Sequence, residues 1–164
     1  MKDKYRTLIE GVCRKGGISD PEVVLERGHL AVNGISFTLL HAELADPDLV
    51  LIYCDFGELP RDRREQALQR LLEVNLYLYG GAGPGFSFNK DSGHVLLMAQ
   101  VRLPGATVDS VLTALGALAA YAKEWREGHL LNDMRDHSPA ASRVSLGSAA
   151  MKDIQHSPFS IANT

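Results

Sequence analysis

Apolar and polar positions recur along the chain in periods that change, and each change marks an element. Tyr5, Leu8, Ile9, Val12 and Cys13 lie at helical spacing, and Gly16-Gly17 supplies the left-handed residue that commonly ends a helix. The first element is predicted to be an amphipathic helix. After a turn expected at Ser19-Asp20-Pro21-Glu22, the stretch from Gly28 to Leu44 sets Asn33-Gly34 between two apolar-rich runs, the strongest short-range signal for a tight hairpin. A second turn at 45–48 leads into Leu49–Phe56, whose β-branched and aromatic content and short length favour a third strand over a buried helix. Pro60 and Asp62, with Glu65 three residues after Asp62, form a helix start, and Leu68, Leu71, Leu72, Asn75, Leu76 and Tyr79 then lie along one face. Phe86 and Phe88 alternate with Ser87 and Asn89, residues 89–93 read as a turn, and His94–Leu103 as the return strand of a second hairpin. From Thr107, apolar residues Val108, Val111, Leu112, Leu115, Leu118, Ala119, Ala122 and Trp125 hold helical spacing to about Leu131. The order is helix, three strands, helix, two strands, helix: an α+β fold with an antiparallel twisted sheet and three helices.

Beyond Leu131 the chain turns rich in Ser, Ala and Asn, with two Ser-Pro steps and no apolar period, so one domain is expected over 1–131 and a disordered tail over 132–164. The 164 residues are 45% hydrophobic and 23% charged, ordinary globular values that allow a sizeable core. A net charge of -3 argues against nucleic acid, whose affinity comes from clustered Lys and Arg, and the run Arg61-Asp62-Arg63-Arg64 is too short to reverse that. No apolar run approaches the roughly 20 residues of a membrane span, and the N-terminus carries no signal-like apolar core, so neither export nor membrane insertion is expected. Cys13 and Cys54 lack metal-ligand spacing and read as buried thiols in a reducing cytosol.

Gly80, Gly81, Gly83 and Gly85 crowd around Ala82 and Pro84 in a way that raises the question of a phosphate loop. Such a loop works by following a strand and opening a helix, where free N–H groups and the positive helix end face the anion. This run follows a helix and precedes a strand, and it lacks a Gly-Lys-Ser/Thr ending. It reads as a helix stop and connector. A thiol hydrolase would pair Cys54 with His41 or His94, yet a cysteine inside Leu49–Phe56 is more often a small buried hydrophobe, and the six histidines show no paired spacing. Asn75 is the one polar residue on the apolar stripe of the second helix. An unpaired amide there is costly, so it either bonds a neighbouring backbone or meets a polar partner at an interface.

Three stretches carry a resemblance to a known family. Leu71–Asn75, reading LLEVN, is similar to a second-helix pattern of paired leucines ending in Asn; Phe86–Pro104 resembles a hairpin with Asp91 and Gly93 at its turn; and Val111–His129 carries a leucine repeat closing on Trp125-Arg126. Together they resemble the class I type III secretion chaperones, the Tir-chaperone-like family, over about residues 3 to 131. The charge is less acidic than in many members, and the tail exceeds the usual final helix. The resemblance implies a cytoplasmic homodimer without catalytic residues or cofactors, which binds the extended N-terminal segment of one or more secreted effectors and delivers it to the export apparatus, whose ATPase is a further partner. It implies Leu68, Leu71, Leu72, Asn75, Leu76, Phe86 and Phe88 at the dimer contact. Grooves for the effector are expected at Tyr5, Leu8 and Ile9 on the first helix and Ile35, Phe37 and Leu39 on the second strand, residues whose alternative role is core packing. The competing readings are a small enzyme built on Cys54 and a histidine, and a binding module of the same fold outside secretion.

Overall fold

A computed structural model describes residues 2–78 and 83–131. The elements are α1 (Lys2–Gly16), α2 (Pro21–Arg27), β1 (His29–Val32), β2 (Ile35–His41), β3 (Leu49–Glu58), α3 (Arg64–Leu78), β4 (Gly85–Asn89), β5 (His94–Arg102) and α4 (Val108–Gly128). The five strands form one antiparallel sheet in the order β1-β2-β3-β5-β4. The expectation for 132–164 and the glycines at 80 and 81 lie outside the described residues.

One element exceeds the sequence reading. Where a turn was expected, Asp20 caps a short helix by accepting from the Val23 N–H, Pro21 occupies its first turn, and Gly28 ends it in the left-handed region at φ 72°. These are ordinary start and stop signals, but they enclose only seven residues with a single buried side chain, Val24, so no periodicity announces the helix. Asn33 and Gly34 at φ 52° and 79° make the expected two-residue hairpin turn, in which both central residues must be left-handed.

Period-two burial divides the sheet into two unlike faces. Ile35, Phe37 and Leu39 on β2, Val50, Ile52, Cys54 and Phe56 on β3, and Val95, Leu97, Ala99 and Val101 on β5 all point to one side and are buried under α1 and α4. From α4 they meet Leu115, Leu118, Ala119, Tyr121, Ala122 and Trp125, and from α1 Ile9, Val12 and Cys13. Phe56 is the centre of an aromatic cluster, 5.1 Å from the Phe86 ring, 5.5 Å from Tyr121 and 6.5 Å from Trp125. Immediately after it β3 bulges: the register with β5 shifts between Asp55 and Gly57, and Gly57 adopts φ 96°. Arg126 of α4 fixes that bulge by donating from Nε to the Phe56 carbonyl and from Nη2 to the Asp55 carbonyl, each at 3.1 Å.

Helix α3 splits the apolar face read from its sequence. Its buried stripe is Ala67, Leu71, Val74 and Leu78, while Leu72 and Leu76 are 70% and 76% exposed. Apolar residues occupy two adjoining faces of this helix, and the face with the smaller Ala67 and Val74 fits against the rest of the core. The larger leucines are left outside, with Leu68 half-buried between the two faces.

Two consequences are measurable by chemical denaturation. Phe56→Ala removes the ring that joins β3, β4 and α4 and should cost about 3–5 kcal/mol, as large truncations in close-packed cores do. Gly28 and Gly34 are both left-handed, but a Cβ on Gly28 would lie 2.4 Å from the Leu39 carbonyl oxygen, whereas one on Gly34 meets nothing within 4 Å. Gly28→Ala should therefore be clearly the more damaging of the two; equal losses would show that backbone strain alone matters.

Candidate protein-binding surface

Among the described residues, no helix lies over the opposite face of the sheet. Its positions alternate with the core residues: His29 and Ala31 on β1, Ser36, Thr38 and Leu40 on β2, Leu51, Tyr53 and Asp55 on β3, Leu96, Met98 and Gln100 on β5. Leu51 lies opposite both Leu40 and Gln100, and Tyr53 lies between Thr38 and Met98. Leu40 and Met98 are 44% and 42% exposed, so the centre of this face is apolar and wet. Side chains of this size usually lie inside, and a contiguous exposed group of them marks an interaction surface.

Toward the β1–β2 turn the same face becomes polar. His94 Nδ1 lies 3.0 Å from each carboxylate oxygen of Asp55, and His29 Nδ1 is 2.9 Å from Thr38 Oγ1. These residues, with Ser36, Tyr53, Asn89, Ser92 and Leu96, line an open depression of about 680 Å³. The surface thus offers an apolar centre and a hydrogen-bonding end to one ligand.

The two outer strands differ in what their free edges expose. The Gly28 carbonyl accepts from the Leu39 N–H at 2.8 Å, which fixes the antiparallel alternation along the hairpin. Leu30 and Val32 therefore bond inward to β2, and the N–H and C=O groups of His29 and Ala31 point outward. Both residues are solvent-exposed. On β4, by contrast, α3 lies along the edge: the Phe86 N–H donates to Asn75 Oδ1 at 2.7 Å, and Asn75 Nδ2 donates to the Phe86 carbonyl at 3.1 Å.

The residues singled out in the sequence fall into three groups. Tyr5, Leu8, Ile9, Ile35, Phe37 and Leu39 are all core residues of the single chain, with Tyr5 and Leu8 nearest its rim at 8% and 9% exposure. Tyr5 stacks on His41, ring centroids 4.8 Å apart, and directs its hydroxyl toward the Leu39 carbonyl. Of the residues assigned to a dimer contact, Leu71 and Phe86 are buried, Leu68, Asn75 and Phe88 half-buried, and Leu72 and Leu76 exposed. Leu40, Leu51, Tyr53 and Met98 were missed. For Leu51 and Tyr53 the signal was the continuous apolar run of β3, and for Leu40 and Met98 the apolar residues of β2 and β5 that break the alternation of a strand buried on one face only.

Cys54 stands apart from both histidines proposed to activate it. Its side chain is fully buried on the helix-covered face, where Sγ points to the Leu118 carbonyl, while His94 is on the open face. His41 pairs with Val50, and Cys54 with Phe37, four positions along β2 and hence about 13 Å away. His41 Nε2 is occupied by the Pro47 carbonyl. Burial, and then the Asp55 charge, push the Cys54 thiol far up from its ordinary value, the reverse of what a nucleophile needs. Burial likewise raises Cys13, Tyr5 and Tyr121.

These shifts set an alkaline limit on stability. In the unfolded chain the thiols ionise near 9.0 and the phenols near 10.0, whereas the folded protein holds all four protonated to higher pH. Above about pH 9 the folded state binds more protons, so stability is fully present below that pH and falls as pH rises. Urea midpoints between about pH 8 and pH 11 should decline, and Cys54→Ala should flatten the decline while costing some stability through its cavity. A midpoint independent of pH over this range would contradict the assignment.

Comparison with known proteins places this geometry. No curated protein matches the chain. Among solved structures, a chain of the ExsC-ExsE complex is 20% identical with a TM-score of 0.61, covering 77% of this chain and 94% of that one. A chain of the HopA1-SchA chaperone-effector complex is 20% identical with a TM-score of 0.59 over 77% and 95% of the two chains. A chain of the ExoT-SpcS complex from Pseudomonas aeruginosa is 22% identical with a TM-score of 0.54 over 76% and 98%. These likenesses establish the fold, an α+β unit with one antiparallel sheet, and nearly the whole length of each neighbour is matched. The family model of the Tir chaperone proteins matches residues 7–126, from the middle of α1 to the Arg126 that clamps the β3 bulge, and the chain belongs to the Tir chaperone protein (CesT) family.

Proposed function

We propose that this protein is a cytoplasmic chaperone of type III secretion that acts as a homodimer, holds the N-terminal segment of a secreted effector in a non-globular form, and performs no catalysis. The observation that carries the reading is the helix-free sheet face, apolar at Leu40, Leu51, Tyr53 and Met98, which runs to a β1 edge with outward backbone groups at His29 and Ala31. Family membership supports it, as do chaperone-effector complexes of the same fold. No helix among the described residues is long and apolar enough to cross a membrane.

The physical work is to make an unfolded segment bind without folding it into a domain. Such coupled ordering typically buries on the order of 1,000–3,000 Å² and costs several kcal/mol, so the surface must combine apolar area with backbone hydrogen bonds. An edge strand supplies the bonds without regard to sequence, and the adjoining face supplies pockets for alternate side chains. Delivery to the ATPase of the export apparatus completes the reading.

The dimer is proposed through α3. Leu68, Leu72 and Leu76 recur every four residues on its outer side, and each exposed leucine buried against a second copy would contribute about 1.5–3 kcal/mol. An isologous contact repeats each of them across the axis, so Leu72→Glu would place two charges in a desolvated seam. Since Leu72 is outside the core of the single chain, the variant should fold and run as a monomer by light scattering at micromolar concentration. Wild-type protein already monomeric there would sink the dimer.

Cargo binding is tested by purification from the native cell, identification of the associated protein, and measurement of affinity for its N-terminal segment. Leu40→Glu with Met98→Glu should weaken that affinity at least about tenfold, and Ala31→Pro, which removes one outward N–H where an edge strand tolerates proline, by a similar factor. Cys54→Ala, when folded, should leave it within a few fold. A partner held through its globular domain, or a turnover lost in Cys54→Ala, would overturn the reading.

A further inference from the structure

The two free edges of the sheet are treated in opposite ways, and one side chain makes the difference. At β4 the outward positions are Pro84, Phe86 and Phe88, alternating with Gly85, Ser87 and Asn89, which pair with Met98, Leu96 and His94 of β5. Pro84 has no N–H to offer. Phe86 has both groups, and Asn75 takes both: its amide oxygen accepts from the N–H at 2.7 Å and its amide nitrogen donates to the carbonyl at 3.1 Å. This is the pattern in which a neighbouring strand would engage Phe86. At Phe88 the Arg64 guanidinium lies 5.0 Å over the ring. No comparable group engages His29 or Ala31 among the described residues.

We propose that Asn75 is a positioning residue that closes the β4 edge against strand addition and thereby leaves β1 as the edge at which an incoming strand pairs. It rests on the strand-addition reading given above and says why that addition has one site per protomer. Unpaired edges template indiscriminate pairing, with other copies as readily as with cargo, and proteins suppress this by covering or interrupting them. A side-chain amide is well suited to the task because its oxygen accepts and its NH2 donates from one side, which matches the N–H and C=O that a single strand residue turns outward. A leucine at 75 would pack but leave both Phe86 groups open, and a carboxylate could accept from the N–H but has nothing to donate to the carbonyl.

Residue-resolved hydrogen exchange on the full chain tests this in wild type, Asn75→Ala and Asn75→Asp. Asn75→Ala removes both bonds, so the Phe86 amide should exchange about tenfold faster while the inward-bonded amides of β4 and β5 keep their rates. The same variant should form species larger than wild type as concentration rises, with an infrared band of intermolecular sheet. Asn75→Asp keeps the acceptor and loses the donor, so the Phe86 amide should remain protected. An unchanged Phe86 rate in Asn75→Ala would overturn the proposal. So would a uniform rise across β4 and β5, which would show that Asn75 merely stabilises the fold. If Asn75→Ala does not fold, Asn75→Asp decides alone: loss of Phe86 protection despite the retained acceptor overturns the proposal, and protection supports it. None of these readouts uses cargo, whereas failure of strand addition at β1 appears separately, as cargo affinity unmoved by Ala31→Pro.

Discussion

The packing of β3 against α4 around Phe56 is the contact on which the rest of the molecule depends. Phe56 touches Phe86, Tyr121 and Trp125, so a single ring joins the central strand, the outer strand β4 and the last helix. The bulge that follows would leave two carbonyls without ladder partners, and Arg126 bonds both. An unpaired buried carbonyl costs about 1–3 kcal/mol, which makes a single guanidinium with two donors an economical way to keep the bend. With α4 fixed here and α1 packed beside it, the two helices that cover the sheet among the described residues lie on one face.

That commitment produces the functional asymmetry. A five-stranded sheet has two faces to cover, and the described helices cover one. Leu40, Leu51, Tyr53 and Met98 remain on the other, where water wets them until a partner covers them. A surface of this kind suits a ligand without a fold of its own, since the apolar area and the open backbone groups are already in place before the segment is ordered. The ligand then bears the ordering cost, and the protein bears little. The polar end, with the Asp55–His94 and His29–Thr38 contacts, gives the same surface a direction.

Helix α3 shows the same economy at the edge of the sheet. Its inner stripe of Ala67, Leu71, Val74 and Leu78 anchors it, Asn75 on its shoulder reaches Phe86, and Leu72 and Leu76 are held outward. Anchor, edge cover and exposed apolar stripe are three faces of one helix.

The sequence by itself determined whatever depends on local period and turn chemistry. Asn33-Gly34 required a left-handed pair, and hence a hairpin; the spacing from Val108 to Trp125 required a long helix; and LLEVN, the second hairpin and the leucine-rich last helix together pointed to the family. Only α2 escaped, because seven residues hold too little periodicity to register. What only the tertiary structure decided is which apolar residues see water. Ile35, Phe37 and Leu39 share one parity along β2 and Leu40 the other, but both parities of the β2–β3 pair carry large apolar residues, and the side of the sheet on which α1 and α4 settle makes the first three core and leaves Leu40 and Leu51 on the open face. Leu71 and Leu72 are adjacent and identical, yet one is buried and the other 70% exposed, because the rotation of α3 is set by its neighbours. Burial is a relation between elements distant in the chain, and local pattern carries no information about which of two apolar faces finds a partner.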